Sequence, residues 1–145
     1  MKNNRTIAAL EGALAHSYAL VVKTQNYHWN VVGENFKPLH ELFGAQYEEM
    51  FDALDEIAER IRALGSKVEG SFENFSKLNK TKSGDKNFDA KSMVRDLITD
   101  HELLVKELKE GIKIAQGQED EATADLFIGR IQTHEKAIWM LQSSL

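Results

Sequence analysis

Five histidines and no cysteine bound the chemistry open to this chain. Without thiols, disulfides, thiolate zinc sites and cysteine nucleophiles are excluded, and imidazoles and carboxylates are the strong metal ligands that remain. Two histidines stand apart. His28 lies in Q-N-Y-H-W-N and His40 in F-K-P-L-H-E-L-F, on either side of a break at Gly33 and Pro38. If helices flank that break, both imidazoles come to one end of a hairpin, beside a carboxylate-rich helix, which is a metal-site signature. A structural histidine pair is the competing reading. His101 and His134 fall on apolar stripes, where a core or interface histidine with one hydrogen bond is the ordinary outcome. His16 falls off its stripe and reads as a surface or interface residue.

The carboxylates decide what kind of site is possible. The residues three before the five histidines are Ala13, Gln25, Lys37, Ile98 and Ile131, none of them Glu. The Glu-x-x-His pattern of di-iron centres inside one four-helix bundle is therefore missing. Asp55 and Glu59 are four apart and share a helix face. At 1.5 Å per residue, His40 and Asp55 lie about 22 Å apart on one helix, too far for a single ion. Two copies of that helix, paired antiparallel about a two-fold axis near Tyr47 or Glu48, would set His40 of one chain opposite Asp55 of the other, twice over. The expectation is two equivalent sites per dimer. Alternatively, Asp55 and Glu59 pair with Arg60 or Arg62, the commoner fate of helix-surface charges.

The elements that must position these groups are helices. The chain has 145 residues, 42% of them hydrophobic, enough for one core and a single domain over residues 1–145. A single proline, Pro38, and the lack of long Val/Ile/Thr-rich runs argue against a sheet. A first helix is predicted from about Asn4 to Val32, striped by Ile7, Leu10, Leu14, Tyr18, Val21 or Val22, Gln25 and His28. Gly33 ends it, and Pro38 suits the first turn of a second helix from about Phe36 to Leu64. That helix is striped by Leu39, Phe43, Tyr47, Met50, Leu54, Ile57, Ile61 and Leu64, and stops at Gly65. The short link makes the two an antiparallel hairpin.

From Ser66 to Phe88 the pattern fails. A short helix over Ser71–Leu78 and an exposed loop, K-T-K-S-G-D-K-N, make a link long enough to carry the chain back along the bundle, so that the second and third long helices run parallel. The third starts at Asp89 as N-cap, is striped by Met93, Leu97, Leu104, Leu108, Ile112 and Ala115, and closes at Gly117. The fourth runs from about Asp120 to Ser143, striped by Phe127, Ile131, His134, Ile138 and Leu141. The sum is an all-α, ferritin-like four-helix bundle with one long crossover.

No run of about 18 apolar residues exists, so no membrane span is expected. Glu11 interrupts the apolar core that a secretory signal would need. The absence of cysteine fits a cytoplasmic protein. A formal charge of −5 opposes a broad nucleic-acid-binding surface. One basic cluster, Lys77, Lys80, Lys82 and Lys86 in the crossover, reads as a solvated loop or as a DNA contact. Lys2 and Arg5 are the only basic residues at the start, so no lysine-rich tail is expected there.

Taken together, K-T-Q-N-Y-H-W-N-V-V-G, F-K-P-L-H-E-L-F, D-E-I-A-E-R-I-R-A-L-G and T-A-D-L-F-I-G-R-I-Q-T-H-E-K-A-I-W-M-L resemble the Dps family of mini-ferritins over essentially the whole chain. The resemblance implies a hollow homo-oligomeric shell of twelve subunits in the bacterial cytoplasm, associated in some members with the nucleoid. It implies oxidation of Fe(II), typically with hydrogen peroxide, storage of Fe(III) mineral, and protection against oxidative stress. The ferroxidase sites would lie between two-fold-related subunits, with His28 and His40 from one and Asp55 and Glu59 from the other. His28, Asp55 and Glu59 would hold the first iron and His40 the second, with Glu59 close enough to bridge. Zinc would satisfy the same ligands. Trp29 beside the site is an electron donor or a packing aromatic. Asp120 and Asp125 would line three-fold pores for iron entry, and an acidic first turn also stabilises a helix.

One position departs from the family pattern. Where an Asp or Glu usually follows the second histidine by four residues, this chain has Gly44. The second iron is expected to be held more weakly, by His40 and water. Glu48, about 6 Å further along the axis, is a poor substitute. A shell whose catalysis has decayed through Gly44 is an alternative. DNA binding is the rival function. Twelve copies at −5 each would carry about −60, which repels phosphate.

Overall fold

The computed structural model describes residues 4–145, and Lys2 lies outside the described residues. The elements are α1 (Asn4–Asn30), α2 (Phe36–Ala63), α3 (Phe72–Leu78), α4 (Ala90–Gly117) and α5 (Glu121–Gln142), with no strand among the described residues. The all-α expectation holds. α1 stops at Asn30, two residues before the expected Val32. α2 ends where glycine allows it to. Gly65 takes a left-handed φ of 96°, donates to the Arg62 carbonyl, and lets Ser66 donate to Ile61, a closure that satisfies the last carbonyls. Side chains start α3, α4 and α5. Ser71, Asp89 and Asp120 accept from the backbone N–H groups of Asn74, Ser92 and Thr123, which supplies donors left over at each N-terminus with a partner.

The apolar stripes converge on one core that includes Leu10, Leu14, Val21, Phe43, Met50, Ile57, Ile61, Met93, Leu97, Leu108, Phe127 and Leu141. Burial of each such side chain is worth roughly 1.5–3 kcal/mol. Tyr18, Tyr47, Leu64, Ile112 and Ile138 lie at the core's margin. At the end of α1 the fully buried side chain is Tyr27, while Gln25 and His28 are half-buried.

Contacts of the crossover fix the direction of the later helices. Phe75 stacks on Tyr18 at 4.9 Å, the Lys80 N–H donates to His16 Nε2 at 3.1 Å, and the Asp85 N–H donates to the Tyr27 hydroxyl at 3.2 Å. The link therefore runs along α1 towards its C-terminal end, where α4 begins. α4 finishes beside the start of α1, where Gln118 Oε1 accepts from both the N–H and the hydroxyl of Thr6. α2 also starts at the C-terminal end of α1, so α2 and α4 run parallel, as the length of the link predicts. α5 starts against Arg60 near the end of α2 and returns.

Candidate metal centre

The last turn of α1 and the first turns of α2 carry His28 and His40, and the short link between these helices brings the two imidazoles together. Their rings stack with centroids 3.9 Å apart and planes 12° from parallel. Each ring is also bonded to the other residue's main chain. His28 Nδ1 lies 2.6 Å from the His40 carbonyl oxygen, and His40 Nδ1 lies 2.7 Å from the His28 carbonyl oxygen. A carbonyl oxygen only accepts, so both Nδ1 atoms carry the hydrogen. In a neutral imidazole the lone pair is then on Nε2, and a carbonyl bonded at Nδ1 fixes the direction in which that lone pair points. Phe36 stacks against His40 at 5.1 Å, and Tyr47 meets His28 edge-on at 5.3 Å. The His28 ring rests against the bare Cα of Gly44. A Cβ there would stand 3.0 Å from Cε1 and 3.2 Å from Nδ1.

Asp55 and Glu59 lie exposed on the unbroken helix α2, about 22 Å and further from His40 by the helical rise. The structure does not bring them to the histidines of the same chain. Among the described residues, no three His, Asp or Glu side chains converge as a metal site would require. The arginines beside them are engaged elsewhere. Arg60 donates to Thr123 Oγ1 and Asp120 Oδ1, both at 2.9 Å, and Arg62 donates to the Ser66 carbonyl at 3.3 Å. Large apolar side chains are exposed near both half-sites: Trp29, 67% exposed, with Val32 and Phe36 near the histidines, and Phe51 one turn before Asp55 on α2, while Phe72 is exposed on α3. That exposure means Trp29 does not pack into the core of its own chain.

Asp120 and Asp125 separate. Asp120 caps α5, accepting from the Thr123 N–H and hydroxyl and pairing with Arg60. Partial burial pushes its carboxyl up, but these hydrogen bonds and the guanidinium outweigh that and hold it below the usual carboxylate range. Asp125 lies exposed in the first turns of α5.

Two buried polar clusters lie elsewhere in the bundle, and the first escaped the reading of the sequence. Lys23, 3% exposed, places Nζ 2.6 Å from Asp100 Oδ2 and 3.3 Å from Asp96 Oδ2, and the Tyr27 hydroxyl donates to Asp96 at 2.5 Å. Burial pushes the Asp100 carboxyl up, partly offset by Lys23. Burial and the Asp96 hydrogen bond push the Tyr27 phenol up as well. The available signal was a lysine one turn before Tyr27 on α1 and an i,i+4 aspartate pair on α4, but nothing in the spacing says these helices touch there. In the second cluster His101 and His134 share a hydrogen bond between their Nδ1 atoms at 2.9 Å, fully buried, so the core-histidine reading holds for both. Arg130 grips Glu49 through both Nη atoms and reaches His134 Nε2 at 3.4 Å. Burial, helped by Arg130, pushes His101 down to about 4, and burial with its two cationic or imidazole neighbours depresses His134 well below the ordinary value.

Known proteins share this sequence and fold. The ferritin-like domain family matches residues 7–145. An uncharacterised low temperature-induced protein of Nostoc sp. is 41% identical over 140 residues, spanning 94% of this chain and 78% of that protein. The DNA protection during starvation protein 2 of Bacillus anthracis is 36% identical over 143 residues, spanning 99% of this chain and 98% of its own. Among solved structures, a Dps protein from Bacillus brevis superposes with a TM-score of 0.95 at 32% identity, covering 98% of this chain and 95% of that one.

Proposed function

Because this chain belongs to the ferritin-like proteins and, within them, to the Dps family of mini-ferritins, we propose that it oxidises Fe(II) at sites shared between two-fold-related copies and stores the Fe(III) in a shell of twelve. The observation that carries this reading is the reciprocal bonding of His28 and His40, which reserves both Nε2 lone pairs, with Asp55 and Glu59 left unneutralised further along α2. Iron is the substrate here. In each site His28 and His40 of one copy face Asp55 and Glu59 of the other. His28, Asp55 and Glu59 hold one Fe(II), and His40 holds a second, with Glu59 between them. Hydrogen peroxide accepts one electron from each Fe(II) and, with two protons, leaves as two waters. Carboxylate oxygens favour the more highly charged product, and zinc competes for the same nitrogen and oxygen donors. Trp29, exposed beside His28, is placed to supply a further electron. At the entry pore, Asp125 is the better candidate to attract cations, since Asp120 is already committed to Arg60 and Thr123.

Complementation tests the shared site. Subunits carrying His28→Ala and His40→Ala are mixed with subunits carrying Asp55→Ala and Glu59→Ala, then dissociated and reassembled. Each variant alone should lose peroxide-dependent Fe(II) oxidation. A mixed dimer regains one of its two sites, so random pairing should restore about a quarter of the wild-type activity. Absence of recovery in shells shown to be mixed overturns the shared site.

A second reading rests on the crossover. Lys77, Lys80, Lys82 and Lys86 are all exposed, and none is in an ion pair among the described residues. They are the groups available to meet DNA phosphates against the net negative charge. A gel shift at low salt that disappears when all four become Gln supports this, and a shift that survives the change removes these lysines from the contact.

A further inference from the structure

Gly44 sits inside α2 with helical backbone. The positive-φ glycines are Gly33 and Gly65, so the conformation of Gly44 does not call for glycine. Alanine there would favour the helix by about 1 kcal/mol. What the position does require is room. A Cβ on residue 44 would stand 3.0 Å from His28 Cε1 and 3.2 Å from Nδ1, inside the roughly 3.5–4.0 Å of ordinary contact. The ring has little freedom to retreat. Its Nδ1 is bonded to the His40 carbonyl at 2.6 Å, its face is stacked on His40 at 3.9 Å, and Tyr47 lies edge-on at 5.3 Å.

We propose that Gly44 is the seat of the imidazole pair: a positioning residue whose bare Cα lets His28 lie flat against α2 and stacked on His40, so that the half-site presents two imidazole Nε2 atoms and no carboxylate at position 44. This rests on the reading of His28 and His40 as metal ligands. It gives the glycine a positive role. A Cβ at 44 presses the His28 ring away by a few tenths of an ångström, which stretches its bond to the His40 carbonyl and shifts it against the His40 ring. A nitrogen-rich half-site selects ions that favour imidazole, such as Fe(II), Co(II) and Zn(II), over oxygen-seeking Mn(II).

The test uses the metal-free assembled protein, titrated with Co(II) and separately with Mn(II), by calorimetry and by the Co(II) absorption spectrum. Wild type is compared with His28→Ala, Gly44→Ala, Gly44→Ser and Gly44→Asp. Gly44→Ala should bind Co(II) about tenfold or more weakly, with an altered spectrum, the size of effect expected when the support of a ligand is disturbed. Its helix content and its assembly should match those of wild type, which separates lost positioning from lost folding. Gly44→Ser brings the same Cβ with less gain in helix propensity and should lose as much Co(II) affinity. Gly44→Asp should narrow the preference for Co(II) over Mn(II). If Gly44→Ala and Gly44→Ser bind Co(II) like wild type while His28→Ala does not, the seat is overturned and the metal role of His28 stands. If His28→Ala also binds like wild type, both are overturned.

Discussion

At the residue scale, His28 and His40 orient each other. Each ring is aimed by the other's carbonyl, so the proposed half-site would offer a metal a coupled pair of nitrogens. The carboxylate that would complete a second iron position in the proposed site is missing at Gly44, and the His28 ring lies against its bare Cα. The two irons of a site should therefore differ. Anaerobic Fe(II) titration is expected to resolve a tighter and a weaker class in equal number, about tenfold or more apart, and to lose the tighter class in Asp55→Ala. Two equally tight irons per site would sink this assignment. The residue types and their spacing were legible in the sequence. The stacking was not, because ring orientation depends on where two main-chain carbonyls fall at a helix–helix junction.

At the element scale, the crossover is held to α1 and α4 by a few polar contacts. The Tyr27 hydroxyl is central, donating to Asp96 on α4 and accepting from the Asp85 N–H of the link. Tyr27→Phe leaves both groups without that partner while keeping the ring in the core. The expected cost is about 1–3 kcal/mol in urea unfolding. Hydrogen exchange should quicken first at residues 80–88, and an unchanged exchange pattern would show that the link is held by other contacts. The long helices could be read from period and punctuation, since Gly65, Asp89 and Asp120 act where caps are needed. The docking of the crossover could not, because its anchors, His16 and Tyr27, lie some sixty residues earlier in the chain.

At the scale of the whole molecule, two histidines are folded in their neutral form. Burial holds His101 near 4 and His134 well below its ordinary value, so the unfolded chain binds more protons than the folded one once pH drops below about 6.5. Stability is then fully present above that value and is lost as pH falls from about 6.5 towards 4. Urea midpoints should decline steadily between pH 7 and pH 5, before the depressed carboxyl of Asp120 begins to matter. A flat profile across that interval would mean that the pair is not buried and neutral in solution. No helix of the described residues is long and apolar enough to cross a membrane, and the exposed Trp29, Phe51 and Phe72 are left for other copies of the chain to cover in the proposed shell.

The sequence by itself determined the helices, their order, the parallel return after the crossover and the separation of His40 from Asp55. These follow from local rules: a period of 3.6, a rise of 1.5 Å per residue, and the stereochemistry of caps. Tertiary structure alone decided that the Nδ1 atoms of His28 and His40 are bonded to main-chain carbonyls, that Asp120 is bound to Arg60, and that Lys23 finds Asp96 and Asp100 inside the bundle. Each of these joins residues from different elements, and such pairings depend on how helices rotate and slide against one another, a freedom that periodicity leaves open. The stretch from His28 to Glu59 shows both: its spacing separates His40 from Asp55 and Glu59 along one helix, and its packing sets the His28 ring against the bare Cα of Gly44.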